Sequence, residues 1–257
     1  MVDVGSGTAI VLIPGIQGRW EWMRPSVDEL AKHWRVVASS LPGEPGSARF
    51  SDEAGFDQFV RHVDRLMDAA QISCAAICGV SFGGLVALRY AATRNERVRA
   101  LILVSTPGPR WKPEPHLARY LRWPTLYSPL FFLRALGRFW PEVCATFPNV
   151  GERLTFCVKT AWRLTSAPAV PSRMSRRAQL AAAEQFERDC ARVSAPTLVV
   201  AGRRELDTVV NIDETMEYLT LIPGAIFQTF GNTGHLGTIS APEQFAAIVS
   251  KFLKGLP

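Results

Sequence analysis

Hydrophobic and polar positions along the chain fall into two textures. Short apolar runs occur at 8–13 (TAIVLI), 34–40 (WRVVASS), 73–79 (SCAAICG), 98–105 (VRALILVS), 196–202 (PTLVVAG) and 225–230 (AIFQTF). They are apolar almost throughout, not at every second place, which suits parallel strands covered on both faces. Between them lie amphipathic stretches. In 55–70, Phe56, Phe59, Val60, Val63, Met67 and Ala70 recur at three-to-four spacing, with Asp57, Arg61, Asp64 and Arg65 on the other side. After Pro242, a favourable first residue for a helix, Phe245, Ile248, Val249, Phe252 and Leu253 make a similar stripe. The alternation predicts an α/β fold: a doubly wound, mostly parallel sheet of about six strands flanked by helices.

The middle of the chain breaks this rhythm. Residues 107–172 hold eleven aromatic side chains, among them Trp111, Trp123, Tyr127, Phe131, Trp140 and Trp162, with prolines throughout. This predicts several short helices separated by proline breaks, inserted between the fourth and fifth strands. The chain then divides into a core of 1–106 and 191–257 and a helical insertion of 107–190.

Composition narrows the classes without choosing among them. With 257 residues, 47% hydrophobic and 20% charged, the chain can bury a sizeable core and is neither disordered, collagenous nor a coiled coil. No apolar run nears the ~20 residues of a membrane span, and the start of the chain does not read as a signal peptide. Five scattered cysteines (Cys74, Cys78, Cys144, Cys157, Cys190) predict a reduced, cytoplasmic protein, and no Cys or His cluster completes a metal site around Cys74 and Cys78. The net charge of +6 is unevenly spread: 107–194 carries 14 Lys+Arg against 6 Asp+Glu, whereas 1–106 is balanced and 195–257 slightly acidic. One basic segment with no accompanying motif argues against a nucleic-acid binder.

The chemistry-bearing residues are GVSFGG at 79–84, between a strand and the helical run LVALRYAATR. In that context G-x-S-x-G is a nucleophile elbow: Ser81 sits on a sharp strained turn, and Gly79 and Gly83 give room where strand and helix backbones meet. A serine needs a base. His33, His62 and His116 read as solvated or capping residues, whereas His235 lies in NTGHLG between the last strand and last helix, where sites assemble in open sheets. The acid that orients it comes from GRRELDTVVN, as Asp207 or Glu205, both in the chain order Ser…acid…His. Oxyanion donors are expected at the N–H of Phe82 and at that of Ile16 in PGIQG, with Gln17 as the next candidate.

These residues, with IVLIPG (10–15), LPGEPGS (41–47), PTLVVAG and Gly234-His235, resemble the α/β-hydrolase superfamily, in particular serine-nucleophile, carboxylesterase-like members with a cap. The resemblance implies an eight-stranded sheet with a helical cap after the sixth strand. Here the initial hairpin looks missing, Pro14-Gly15 stands where the family has His-Gly, and the acid loop is two residues longer than usual. Asp207 is favoured over Glu205 because LDTVVN resembles the family's acid followed by a short apolar run. The resemblance implies a serine hydrolase cleaving carboxylic esters of hydrophobic substrates through an acyl-enzyme, without cofactor. A carbon–carbon bond or thioester hydrolase on the same triad is the alternative, and a non-enzymatic ligand receptor a second one. Trp20, Trp22, Trp123 and Phe131, with Gln17, are expected to line the pocket. The basic surplus is expected on the solvated outer face of the cap (Arg119, Arg122, Arg134, Arg138), with no stable membrane insertion, since Pro124 and Pro129 interrupt any long amphipathic helix. An interfacial stretch at 120–140, resting on anionic lipid, is the other reading of the same residues. Oligomeric state is left open.

Overall fold

Each of the six apolar runs forms a strand in the computed structural model, which describes residues 1–113 and 118–256. A three-residue strand, β1 (Val2–Val4), precedes them; then come β2 (Ala9–Ile13), β3 (Arg35–Ala38), β4 (Ala75–Val80), β5 (Val98–Val104), β6 (Thr197–Ala201) and β7 (Ile226–Thr229). The sheet order is β1-β3-β2-β4-β5-β6-β7, parallel except where β1 pairs antiparallel with β3. One strand of the hairpin that the sequence pattern lacked is thus present. It is short, lies at the sheet edge and is largely exposed, so it leaves no apolar run to read.

Helices cover both faces. They are α1 (Arg24–Leu30), α2 (Asp57–Ala69), α3 (Phe82–Thr93), α4 (Ala118–Arg122), α5 (Pro124–Thr146), α6 (Val150–Ser166), α7 (Pro171–Ala183), α8 (Glu187–Cys190), α9 (Ile212–Met216), α10 (Tyr218–Leu221), α11 (Gly237–Ser240) and α12 (Pro242–Lys254). Successive strand side chains point to opposite faces. In β2, Val11 and Ile13 join a cluster with Phe59 and Val63 of α2 and Leu85 of α3, whereas Ile10 and Leu12 join Val27 of α1 and Phe245 of α12. This two-sided burial is why the strands read as unbroken apolar runs.

The five helices α4 to α8 stand between β5 and β6, as the break in rhythm predicts. They are not all short. The α5 helix runs for 23 residues through Pro129 and Pro141. A proline removes one backbone bond and crowds the preceding turn, yet the helix begins at Pro124 and continues through Pro129 and Pro141, so Pro124 and Pro129 do not interrupt it as expected. Among the described residues no helix is long and apolar enough to cross a membrane.

The basic surplus of the insertion divides. Arg122 and Arg134 are exposed, as expected, and the Arg119 side chain lies outside the described residues; Arg138, also expected on the outer face, instead reaches the core and donates to Thr208. The arginines of α7 instead turn toward the sheet: Arg173 and Arg177 share Glu44, at 2.9 and 2.7 Å, and Arg176 pairs with Asp52. Part of the surplus is therefore neutralised where the insertion meets the core. The outer face carries apolar side chains in its place, including Leu126, Leu133, Leu136 and Trp162.

Candidate active site

Ser81 occupies the turn between β4 and α3, with φ of 54°. A non-glycine residue there is strained, and the surroundings hold it. Its N–H donates to the Val104 carbonyl at 2.8 Å, and its own carbonyl accepts from Gly84 N–H at 2.8 Å. A Cβ at Gly79 would stand 2.1 Å from the Gly83 carbonyl oxygen, and one at Gly83 2.4 Å from that of Ile13. Only glycine lets strand, turn and helix come this close. Phe82 begins α3, so its N–H has no intrahelical partner. Its buried ring is wedged edge-on against Phe59 at 5.2 Å, which keeps that end of the helix in place.

The loop after β2 lies beside the serine. A Cβ at Gly15 would be 3.5 Å from Ser81 Cβ and 2.8 Å from Gln17 Oε1, so Gln17 and Ser81 border the same glycine. Arg177, fully buried, braces this loop from α7 by donating to the Ile16 carbonyl at 3.0 Å and to that of Pro42 at 3.1 Å.

Asp207 and His235 meet across two loops. His235 Nδ1 stands 3.3 Å from Asp207 Oδ2, and Asp207 Oδ1 accepts from the N–H groups of Val209 and Val210, each at 3.0 Å. Burial acts to raise the Asp207 carboxyl, but the hydrogen bond and charge of His235 and these two amides outweigh it and hold the group below its ordinary range. The loops touch backbone to backbone: a Cβ at Gly234 would lie 2.4 Å from the Leu206 carbonyl oxygen. Glu205, by contrast, is 60% exposed and pairs with Arg203 at 2.8 Å. The two acids left open by the sequence are thus separated, and Asp207 is the one brought to His235. Ser81 Oγ and His235 form no mutual hydrogen bond among the described residues; such contacts commonly tighten on substrate binding.

A second serine–histidine pair, Ser39 Oγ and His62 Nε2 at 2.7 Å, shows what the first has in addition. Burial, then the charge of Arg65, pushes His62 down to about 4, and no carboxylate bonds its ring. His62 is thus a partly buried core contact, not the solvated residue expected. His33 is exposed, and His116 lies outside the described residues.

Three of the expected pocket aromatics have partners of their own. Trp20 packs against the α1–α12 cluster with Arg24 over its ring at 5.8 Å, and Trp22 donates to the Ala167 carbonyl at 2.9 Å. Trp123 is 57% exposed with Arg122 over its ring, and the Phe131 side chain lies outside the described residues. The reason is common to all three: an aromatic count shows a capacity to bury area, not the place where it is buried. Two residues the sequence reading passed over border the site instead, Arg177 and Glu142. The buried Glu142 Oε1 accepts from Gly234 N–H at 2.7 Å and Leu236 N–H at 2.8 Å, on either side of His235. Their one sequence signal is a charged residue amid helical apolar positions, which many surface residues share.

Comparison with known proteins agrees with the fold. The α/β hydrolase fold family matches residues 8–242. The chain is 30% identical over 98% of its length, and 88% of the other's, to 2-hydroxymuconate semialdehyde hydrolase of Pseudomonas sp. (strain CF600). It is 26% identical to the pimeloyl-[acyl-carrier protein] methyl ester esterase of Nitrosomonas europaea, over 95% of this chain and 94% of that one. The solved structure of a meta-cleavage product hydrolase from Pseudomonas fluorescens IP01 superposes with a TM-score of 0.74, at 25% identity and with 98% and 93% of the two chains covered. With its strained serine between β4 and α3, and an acid and a histidine in the loops after β6 and β7, the chain belongs to the α/β hydrolase fold family.

Proposed function

We propose that this protein is a serine hydrolase that cleaves the carbon–carbon bond beside a carbonyl group in an oxo-dienoic acid, through an acyl-enzyme on Ser81. The reading is supported by the Asp207–His235 pair and the strained Ser81, in a chain 30% identical, nearly end to end, to a 2-hydroxymuconate semialdehyde hydrolase. The same support favours carbon–carbon cleavage over the carboxylic ester that the sequence first suggested.

Ser81 Oγ adds to the substrate carbonyl while its proton passes to His235 Nε2. Asp207 holds the opposite ring nitrogen and stabilises the imidazolium. The N–H groups of Phe82 and Ile16 receive the oxyanion, where fixed dipoles contribute most. Once the substrate's dienol has ketonised, its hydroxyl proton passing to the carbon beside the carbonyl, the carbon–carbon bond breaks with its electron pair delocalised into the departing dienolate, whose oxygen takes the proton from His235. Water, deprotonated by His235, releases the acyl group as a carboxylic acid and restores Ser81, so one water is consumed per turnover. The chemistry uses no metal or organic cofactor. Residues 107–190 act as a cap in this reading, since Trp22, just past the oxyanion loop, is tied to Ala167 of the insertion. Five free cysteines suit a cytoplasmic setting.

A methyl ester esterase among the relatives keeps ester hydrolysis as the second reading, which needs the same triad but expels an alkoxide. Steady-state assays of the purified protein on 2-hydroxymuconate semialdehyde and on a short p-nitrophenyl ester separate the two. A kcat/KM larger by on the order of 10² for the dienoic acid is expected, and a ratio inverted by the same factor would make it an esterase.

A further inference from the structure

The α5 helix reaches from the insertion onto both loops of the candidate triad. Arg138, Glu142 and Thr146 are four residues apart and so share one face. Arg138 donates to Thr208, beside Asp207, through Nε to Oγ1 at 3.2 Å and through its guanidinium to the carbonyl oxygen. Thr146 Oγ1 donates to the Asn232 carbonyl at 2.8 Å. Between them, Glu142 Oε1 accepts from Thr233 Oγ1 and Gly234 N–H, both at 2.7 Å, and from Leu236 N–H at 2.8 Å.

We propose that Glu142 is a positioning residue for catalysis: by gathering the amides on both sides of His235 onto one carboxylate oxygen, it fixes the backbone that aims the imidazole at Ser81. Glu142 is 1% exposed, and its Oε2 has no hydrogen-bond partner. Burying a carboxyl with one oxygen unmet costs free energy, and filling the same space with a hydrophobic side chain would avoid it. The three donors on Oε1 offset that cost, and all three belong to the segment holding His235. Burial pushes the carboxyl above its ordinary range, while Thr233, Gly234, Leu236 and the charge of His235 act against the rise. Misplacing a catalytic group by about 1 Å can lower a rate by roughly 10², and Glu142 bonds the backbone on which the His235 direction depends.

The role rests on Ser81 and His235 being the reacting pair, so the test uses a fluorophosphonate, which reacts at an activated serine whatever the natural substrate. Wild type should be phosphonylated at Ser81 and Ser81→Ala should not. An unlabelled wild type would sink the hydrolase reading and the Glu142 role with it. With labelling established, Glu142→Ala should lower kinact by about 30- to 100-fold and leave KI within roughly threefold. Glu142→Gln keeps the accepting oxygen and should recover kinact to within about fivefold of wild type. A folded Glu142→Ala with wild-type kinact, a loss that falls on KI, or a Gln variant as slow as the Ala variant would each overturn the role. Should Glu142→Ala fail to fold, Glu142→Asp carries the test. It withdraws the oxygen by one methylene, about 1.5 Å, and kinact should fall on the order of tenfold; an unchanged kinact there would overturn the role equally.

Discussion

In the sheet, apolar side chains point inward and polar ones stay outside; along α5 the order is reversed. Leu103 of β5 and Ile10 of β2 are fully buried, whereas Leu126, Leu133 and Leu136 of α5 face outward. The face of α5 against the loops of Asp207 and His235 carries Arg138, Glu142 and Thr146. Next to it, α7 meets the core through Arg173, Arg176 and Arg177. Apolar burial is non-directional and assembles the sheet and its flanking helices. Hydrogen bonds and ion pairs are directional, and they set the insertion in a definite register on the loops that hold Asp207 and His235. The scaffold is held by area and the site by direction.

The largest effect should come from the sheet's carboxyl end. Ser81→Ala or His235→Ala should lower kcat by about 10⁴–10⁶, and the double variant should be little worse, because the pair acts as a unit. Asp207→Asn should cost roughly 10⁴ by mis-setting the histidine tautomer. Glu205→Gln, on the exposed partner of Arg203, should leave kcat nearly unchanged. A reversed ranking of the two acids would move the role to Glu205.

Next in size is the polar seam. Arg177→Met strips the buried Glu44 Oε1 of its partner while Arg173 still holds Oε2, and should cost about 3 kcal/mol in chemical denaturation, the low end for a broken buried pair. Adding Glu44→Leu should recover much of that loss. A fully additive double variant would show that the pair does not bind insertion to core.

The contrast between inward and outward leucines gives a third measurement. Leu103→Ala should lose roughly 2–5 kcal/mol, and Leu133→Ala, at 67% exposure, no more than about 0.5 kcal/mol. Equal losses would mean that the outer face of α5 is covered in solution.

The smallest effect separates the two serine–histidine pairs. His62 binds its proton at about 4 in the folded chain, against an ordinary 6.5. Between those values the unfolded chain holds more proton, so this contribution is complete above about pH 6.5 and fades as pH falls toward 4. The loss should amount to roughly 1–2 kcal/mol after discounting partial exposure. His62→Gln should flatten that part of the stability curve, and an unflattened curve would rule His62 out as its source.

Six strands, the serine elbow and the histidine loop were legible because each rests on local requirements. A doubly covered strand must be apolar throughout, and the turn at Ser81 must have glycine where backbones come within van der Waals distance, as at Gly79 and Gly83. The β1 strand was not legible, since an exposed edge of three residues imposes no pattern. Asp207 and Glu205 stand two residues apart in one loop with the same chain order, so sequence could rank them only by likeness. Their difference appears when one carboxylate meets His235 and two amides while the other turns to Arg203. The partners of Trp20, Trp22 and Trp123 were not legible for a related reason: composition fixes how much apolar area a segment has to bury, but not against what. What the sequence alone determined was the six strands after β1, their order and the serine and histidine that punctuate them, because local periodicity and backbone sterics dictate these. Which acid meets His235, where the arginines of the insertion end, and that Glu142 bonds the backbone around His235 were decided by tertiary structure. Each depends on contacts between residues up to 161 positions apart in the chain, as in the Arg177–Ile16 bond, and no local pattern encodes such a distance.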